Sequence, residues 1–115
     1  MKRAFAILAV AVLVAGVFAV AGSAAGDTNR GRAIYARSCL KCHGATGAGV
    51  PAIAKALKVE MKALGSEEVQ KLTDEQIKKD ITEGTGKMQK VAGLSEQDIA
   101  DVMAHIRTFA KKETK

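Results

Sequence analysis

The feature that most constrains this chain is a pair of cysteines three residues apart, Cys39 and Cys42, followed directly by His43. They are the only cysteines in 115 residues. A disulfide between them would close so small a loop that it would remove little chain entropy, so it would stabilise a fold poorly. The spacing therefore indicates another purpose for the two thiols.

The segment from Cys39 to His43 has the spacing of a haem-attachment motif. Two thiols three apart on a helical turn can reach the two vinyl groups on one edge of a haem, and the next histidine can offer a neutral nitrogen to the iron. A thioredoxin-like redox pair would need a βαβ setting, and a zinc site would need four ligands. A chance match is the third alternative. The helical pattern and export signal described below favour one haem c, attached through Cys39 and Cys42.

The N-terminal region has the order of a secretory signal. Two basic residues precede the uncharged apolar run Ala4–Ala21, and small residues continue to Gly26. We predict a signal peptide over residues 1–25, a single domain over 26–115 and a periplasmic location. An uncleaved membrane anchor is the alternative, because 18 apolar residues are near the lower limit for crossing a bilayer.

The predicted domain is small and poor in large apolar side chains. It keeps 16 of the 18 basic residues and all 12 acidic ones, and so a formal charge of +4. Tyr35 and Phe109 are its only aromatic residues, and the chain has no Trp. A domain of about 90 residues has a marginal core of its own. A haem packed against aliphatic side chains would fill its centre.

Capping residues and apolar spacing predict an all-α domain of about four helices. No strand pattern and no internal repeat is visible, and the segment Val59–Leu64 is ambiguous. Two glycine-containing loops, 44–49 and 84–93, separate the predicted helices. Helix starts are predicted at Asp27 or Thr28, Pro51, Ser66, Thr73 and Ser95.

Haem iron takes a sixth ligand or keeps an open site, and Met88 is our candidate for that ligand. It lies in the second glycine loop, 45 residues after His43. A methionine in a loop can reach the far face of the ring without breaking a helix. Met103 is on the apolar stripe of the last helix, which favours core packing, and Met61 is a weaker candidate. His105 falls off that stripe, so we expect a partly buried or surface histidine.

In these residues, the chain resembles a class I cytochrome c of the small bacterial monohaem kind. The strongest match is Cys39–Gly44. Gly31 and Tyr35 resemble the glycine and the aromatic residue of the family's first helix. In the family, that glycine lets the last helix cross the first closely. The resemblance implies an all-α fold around one covalent haem. It also implies that the carbonyl of Pro51 accepts a hydrogen bond from the second ring nitrogen of His43.

Two departures from the family's pattern concern the second loop and the last helix. Gln89 stands where the family often has a proline after the iron-bound methionine, so the loop holding Met88 lacks that stiffening. His105 stands where the family often has a tyrosine. We therefore expect a weaker aromatic contact between the first and last helices.

The function expected from these features is one-electron transfer in the periplasm, with His43 and Met88 on the two faces of the iron. No acid–base pair or substrate pocket is evident, so we do not predict an enzyme. The alternatives are a five-coordinate haem sensor or peroxidase-like protein, and a haem subunit of a membrane respiratory complex. Membrane association would follow only if the N-terminal segment is uncleaved.

The expected partners are redox proteins, and basic residues near the motifs suggest that these partners are acidic. The alternative is an ordinary solvated surface, since Glu60, Glu67 and Glu68 dilute the charge asymmetry. We expect a monomer that binds no nucleic acid. The basic residues are Lys41, Lys55, Lys58, Lys87 and Lys90.

Overall fold

The computed structural model describes residues 26–112 and, before them, Gly16 alone. Apart from Gly16, the predicted signal peptide lies outside the described residues. The helices are α1 (Thr28–Ser38), α2 (Leu40–His43), α3 (Pro51–Leu57), α4 (Glu67–Gln70), α5 (Asp74–Glu83) and α6 (Glu96–Thr108), with a 3₁₀ turn at Phe109–Lys112.

The prediction of an all-α domain is confirmed. Four of the helices are longer than one turn, and α2 and α4 are single turns of four residues. The described part of the chain contains no strand, and its one isolated bridge joins Thr85 to Met88. None of the described helices is long and apolar enough to cross a membrane.

The predicted helix starts are confirmed, and four of the five have a side-chain cap. The Asp27 carboxylate accepts from the first backbone N–H groups of α1, and Pro51 occupies the first turn of α3. Ser66 caps α4. Both α5 and α6 begin with a reciprocal capping box, at Thr73 and Ser95. Such caps satisfy N–H groups that a helix leaves without partners, so short-range sequence suffices to place them.

Helices α1 and α6 cross at very close range, as the resemblance implied. A Cβ atom added to Gly31 would lie 1.9 Å from the carbonyl oxygen of Asp101, and one added to Gly26 would lie 2.0 Å from that of Ala100. Only glycine permits this approach. The core forms around the crossing, with α5 packed beside it, and comprises Ile34, Tyr35, Ile77, Ile81, Val102, Ile106 and Phe109.

A buried carboxylate, Asp101, fastens the start of α1 to α6. Its Oδ1 accepts from the backbone N–H of Asp27 at 2.7 Å and from the Gln97 amide at 2.8 Å. Arg30 Nε lies 3.6 Å from Oδ2. The hydrogen bond from Asp27, then that from Gln97 and the charge of Arg30, lower the pKa of Asp101. The apolar pattern of α6 gave no sign of this polar contact.

The expectation for His105 was wrong in one respect, because the residue is buried, with 8 % of its surface exposed. Its ring makes edge-to-face contacts with Tyr35 and Phe109, at centroid distances of 5.1 and 5.0 Å. The close crossing at Gly31 brings α1 over this face of α6, which is why a polar residue off the apolar stripe is covered. The imidazole thus makes a ring contact between the two helices where the family often has tyrosine.

Candidate functional site

The three residues of the attachment motif lie together on the turn formed by α2. His43 N–H donates to the Cys39 carbonyl at 3.0 Å, and Cys42 N–H donates to the same carbonyl at 3.3 Å. Cys39 is the cap residue directly before α2, so all three residues lie within one turn of the chain. Both thiols are free and half-buried. The turn therefore brings two thiols and one imidazole close together, as covalent haem attachment requires.

Burial shifts the pKa values of Cys39 and His43 in the directions that favour their neutral forms. It raises the pKa of the Cys39 thiol to about 11, with the neighbouring Cys42 adding to the effect. It lowers the pKa of His43. Burial therefore favours the neutral imidazole of His43, which is the form of histidine that can bind a metal.

The second ring nitrogen of His43 is the part of the motif that the protein leaves unsatisfied. Nδ1 is buried and has no hydrogen-bond partner among the described residues. Buried polar atoms of this kind are rare, because each carries a desolvation cost. Two half-buried thiols beside a half-buried imidazole whose Nδ1 has no partner fit a covalently held haem. Among residues 26–112, no cluster of three or more His, Cys, Asp or Glu side chains is found that could hold a metal ion.

The bond from His43 to Pro51 that the resemblance implies is not formed in this structure. The backbone nevertheless returns to the motif just before Pro51, since Gly49 N–H donates to the His43 carbonyl at 2.8 Å and Val50 N–H to that of Cys42 at 3.0 Å. A metal ion bound to one ring nitrogen of a histidine fixes the orientation of the ring, and so the direction of the second nitrogen. The hydrogen bond to Pro51 therefore stays a prediction for the haem-bound ring.

Tyr35 holds the end of the motif against the core. Its hydroxyl donates to the carbonyl of Gly44 at 2.6 Å, and Gly47 N–H donates to the same oxygen at 3.2 Å. Burial, then the adjacent Cys39, raises the pKa of Tyr35 to about 12. Sequence reasoning used Tyr35 only as an aromatic contact. The signal for its second role was the hydroxyl itself, because a buried tyrosine usually finds a hydrogen-bond partner.

Met88 lies on a separate loop after α5, in a turn closed by two backbone hydrogen bonds. Thr85 N–H donates to the Met88 carbonyl at 3.0 Å, and Met88 N–H donates back to Thr85 at 2.9 Å. Met88 is half-buried and lines a shallow, open depression formed by its own loop and the end of α5.

The other candidates for a sixth ligand are engaged elsewhere. Met61 Sδ lies 3.2 Å from the position of a Cβ on Gly49, so its side chain packs on the first glycine loop. Met103 packs against the core from α6, as predicted. His105 lies between two aromatic rings.

Comparison with known families agrees with this geometry. The family model described as cytochrome c matches residues 28–110, which run from the start of α1 into the final 3₁₀ turn. The chain belongs to the cytochrome c family. No curated protein and no solved structure gives a significant match to it.

Family membership makes the protein a haem-binding electron-transfer protein, in a family composed mainly of electron carriers. Its cofactor is haem c, held covalently through Cys39 and Cys42. A bound haem would supply one-electron chemistry between ferrous and ferric iron. The chain supplies the two thiols that hold it and their half-buried setting.

Proposed function

We propose that this cytochrome is a periplasmic electron carrier in which His43 and Met88 bind the haem iron from opposite faces. One observation supports Met88 above the other candidates. Met88 is the methionine in a loop that is closed on itself by two backbone hydrogen bonds, whereas Met61 packs on the first glycine loop and Met103 packs against the core. Retention of both ligands in both oxidation states keeps rearrangement small. A thioether ligand favours ferrous iron and raises the potential relative to two nitrogen ligands.

The test of the axial ligand is the absorption spectrum of the purified ferric protein. Wild type should show the long-wavelength band of sulfur-to-iron charge transfer, and Met88→Ala should lose it and have a lower reduction potential. Met61→Leu is the matched control and should keep both. An unchanged spectrum in Met88→Ala refutes the assignment. A wild-type spectrum of five-coordinate iron, with binding of carbon monoxide or peroxide, would favour the sensor or peroxidase-like alternative.

The periplasmic location is supported by the basic start, the apolar run Ala4–Ala21 and the small residues up to Gly26. Mass analysis of the native protein should find an N-terminus created by cleavage after Ala24, Ala25 or Gly26, in the periplasmic fraction. Recovery of the intact chain in the membrane fraction would contradict this and favour a subunit of a membrane complex.

We also propose that unpaired lysines steer acidic redox partners. Lys41 adjoins Cys42, and Lys87 and Lys90 flank Met88; all three side chains are exposed. Lys55 and Lys58 are exposed as well. None of the five lysines forms an ion pair within residues 26–112, as the ion pairs there involve other residues.

The acidic residues that seemed to dilute this charge are in part already neutralised. Glu67 pairs with Lys71 at 2.7 Å, and Glu68 pairs with Lys62. Electron transfer to an acidic protein should therefore slow with rising ionic strength. Lys87→Glu should slow it further at low salt, whereas Lys79→Glu, an equal charge change on α5, should have a smaller effect. A rate that is independent of salt would rule out steering.

A further inference from the structure

Gly84, at the end of α5, occupies a backbone conformation that other residues avoid. Its φ of 79° and ψ of 166° lie in a region that is essentially restricted to glycine. A Cβ atom at Gly84 would also lie 2.7 Å from the carbonyl oxygen of Met88 and 2.9 Å from the amide nitrogen of Lys90. The chain around Met88 thus folds directly back over Gly84.

The loop is fastened at each end as well as at its centre. At its start, Gly84 N–H donates to the Asp80 carbonyl of α5 at 2.9 Å. At its end, Val91 N–H donates to the Ile81 carbonyl, also of α5, at 2.8 Å. The paired bonds between Thr85 and Met88 close the middle.

We infer that Gly84 is a positioning residue for Met88, because its missing side chain lets the chain around Met88 fold back over the end of α5. The same loop has Gln89 where the family often has proline. The inference rests on the proposed bond between Met88 and iron. A side chain at Gly84 would push the Met88 carbonyl away and break its bond with Thr85. The methionine sulfur would then be released more readily, although Met88 itself is unchanged.

Two other glycines separate this contact from the general effect of a positive φ. Gly86 has a φ of 55° and belongs to the same turn, and Gly93 has a φ of 80° farther along the chain. A Cβ at either position would meet nothing within 4 Å. Gly86→Ala and Gly93→Ala therefore introduce backbone strain without pressing on Met88.

Competition with added imidazole measures how firmly the sixth ligand is held in the haem-loaded ferric protein. The backbone strain in Gly84→Ala should shift the equilibrium between bound and released Met88 sulfur by about tenfold. Imidazole should therefore bind that variant about tenfold more tightly than it binds wild type. Gly86→Ala and Gly93→Ala should stay within about threefold of wild type. Equal imidazole affinity for Gly84→Ala and Gly93→Ala would overturn the inference.

Amide hydrogen exchange in the wild-type protein tests the loop even if Gly84→Ala fails to fold. The amides of Thr85 and Met88 should exchange more slowly than that of Lys87, and equal exchange would overturn the inference. Met88→Ala separates the two proposals. If Met88→Ala leaves the imidazole affinity unchanged while the Thr85 and Met88 amides are protected in wild type, the assignment of Met88 as an iron ligand fails and the closed loop is confirmed. If it raises the affinity but Gly84→Ala does not, only the role of Gly84 fails.

Discussion

The crossing of α1 over α6 depends on the missing side chain of Gly31, which makes Gly31→Ala a sharp test of the packing. The added methyl carbon would begin 1.9 Å from the Asp101 carbonyl oxygen and 3.1 Å from the Cβ of His105. A close carbon–oxygen contact is normally about 3.3 Å or longer. The helices must therefore move apart by more than about 1 Å at the point where Tyr35 and Val102 are buried.

The size of the effect follows from two opposing contributions. Overpacking a core costs about 1–3 kcal/mol, and contact with backbone puts Gly31→Ala at the upper end. Alanine in a helix interior is more favourable than glycine by about 1 kcal/mol. The expected net loss is about 2 kcal/mol, which corresponds to a fall of about 8–16 °C in Tm for a domain of this size.

Thermal and urea unfolding of the haem-loaded protein, followed by circular dichroism, would measure this loss. Ala33→Gly is the matched control, because Ala33 is exposed on the same helix. It should lose only the helix-propensity difference of about 1 kcal/mol. If Gly31→Ala raised Tm by as much as Ala33→Gly lowers it, propensity alone would decide the outcome. The reasoning from the close crossing would then be refuted.

Two further predictions concern polar contacts of the same core. Tyr35→Phe removes the hydroxyl that donates to Gly44 and should cost about 1 kcal/mol in urea unfolding; an unchanged midpoint would show that this bond adds no stability. The pKa of Asp101 is lowered below its ordinary 3.8, mainly by the hydrogen bond from the N–H of Asp27. The ionised carboxylate therefore stabilises the fold fully above pH 3.8, and this stabilisation is lost as the pH falls through the lower pKa of the folded state. Asp101→Asn should therefore lose less stability than wild type between about pH 4 and pH 2, and parallel losses would contradict this.

Much of the fold was predictable because its signals are local. Capping residues such as Thr73 and Ser95 act within four positions, and Cys39–His43 carries its chemistry in five. The ambiguous segment Val59–Leu64 could not be predicted in this way. It lies against the first glycine loop, where Leu64 N–H donates to the Gly47 carbonyl at 2.8 Å, and this contact spans 17 residues.

The parts of the site that sequence did not reveal depend on how helices meet. Asp101 and His105 are one turn apart on α6, and both are buried because α1 approaches closely at Gly31. The apolar pattern of α6 cannot predict the burial of these two residues, because the pattern identifies apolar residues only. The closed turn around Met88 was equally hidden, because the return of the chain over Gly84 depends on the backbone angles of that glycine, which the sequence does not show.

The joining of α1 to α6 also bears on when haem is attached. The hydrogen bond from Asp27 to Asp101 spans 74 residues, so it forms only once the last helix is in place. Cys39 and Cys42 are half-buried in the folded domain, whereas an unfolded chain offers both thiols without that cover. We therefore expect haem attachment to precede the docking of α6 on α1, which then closes a domain whose centre is already filled.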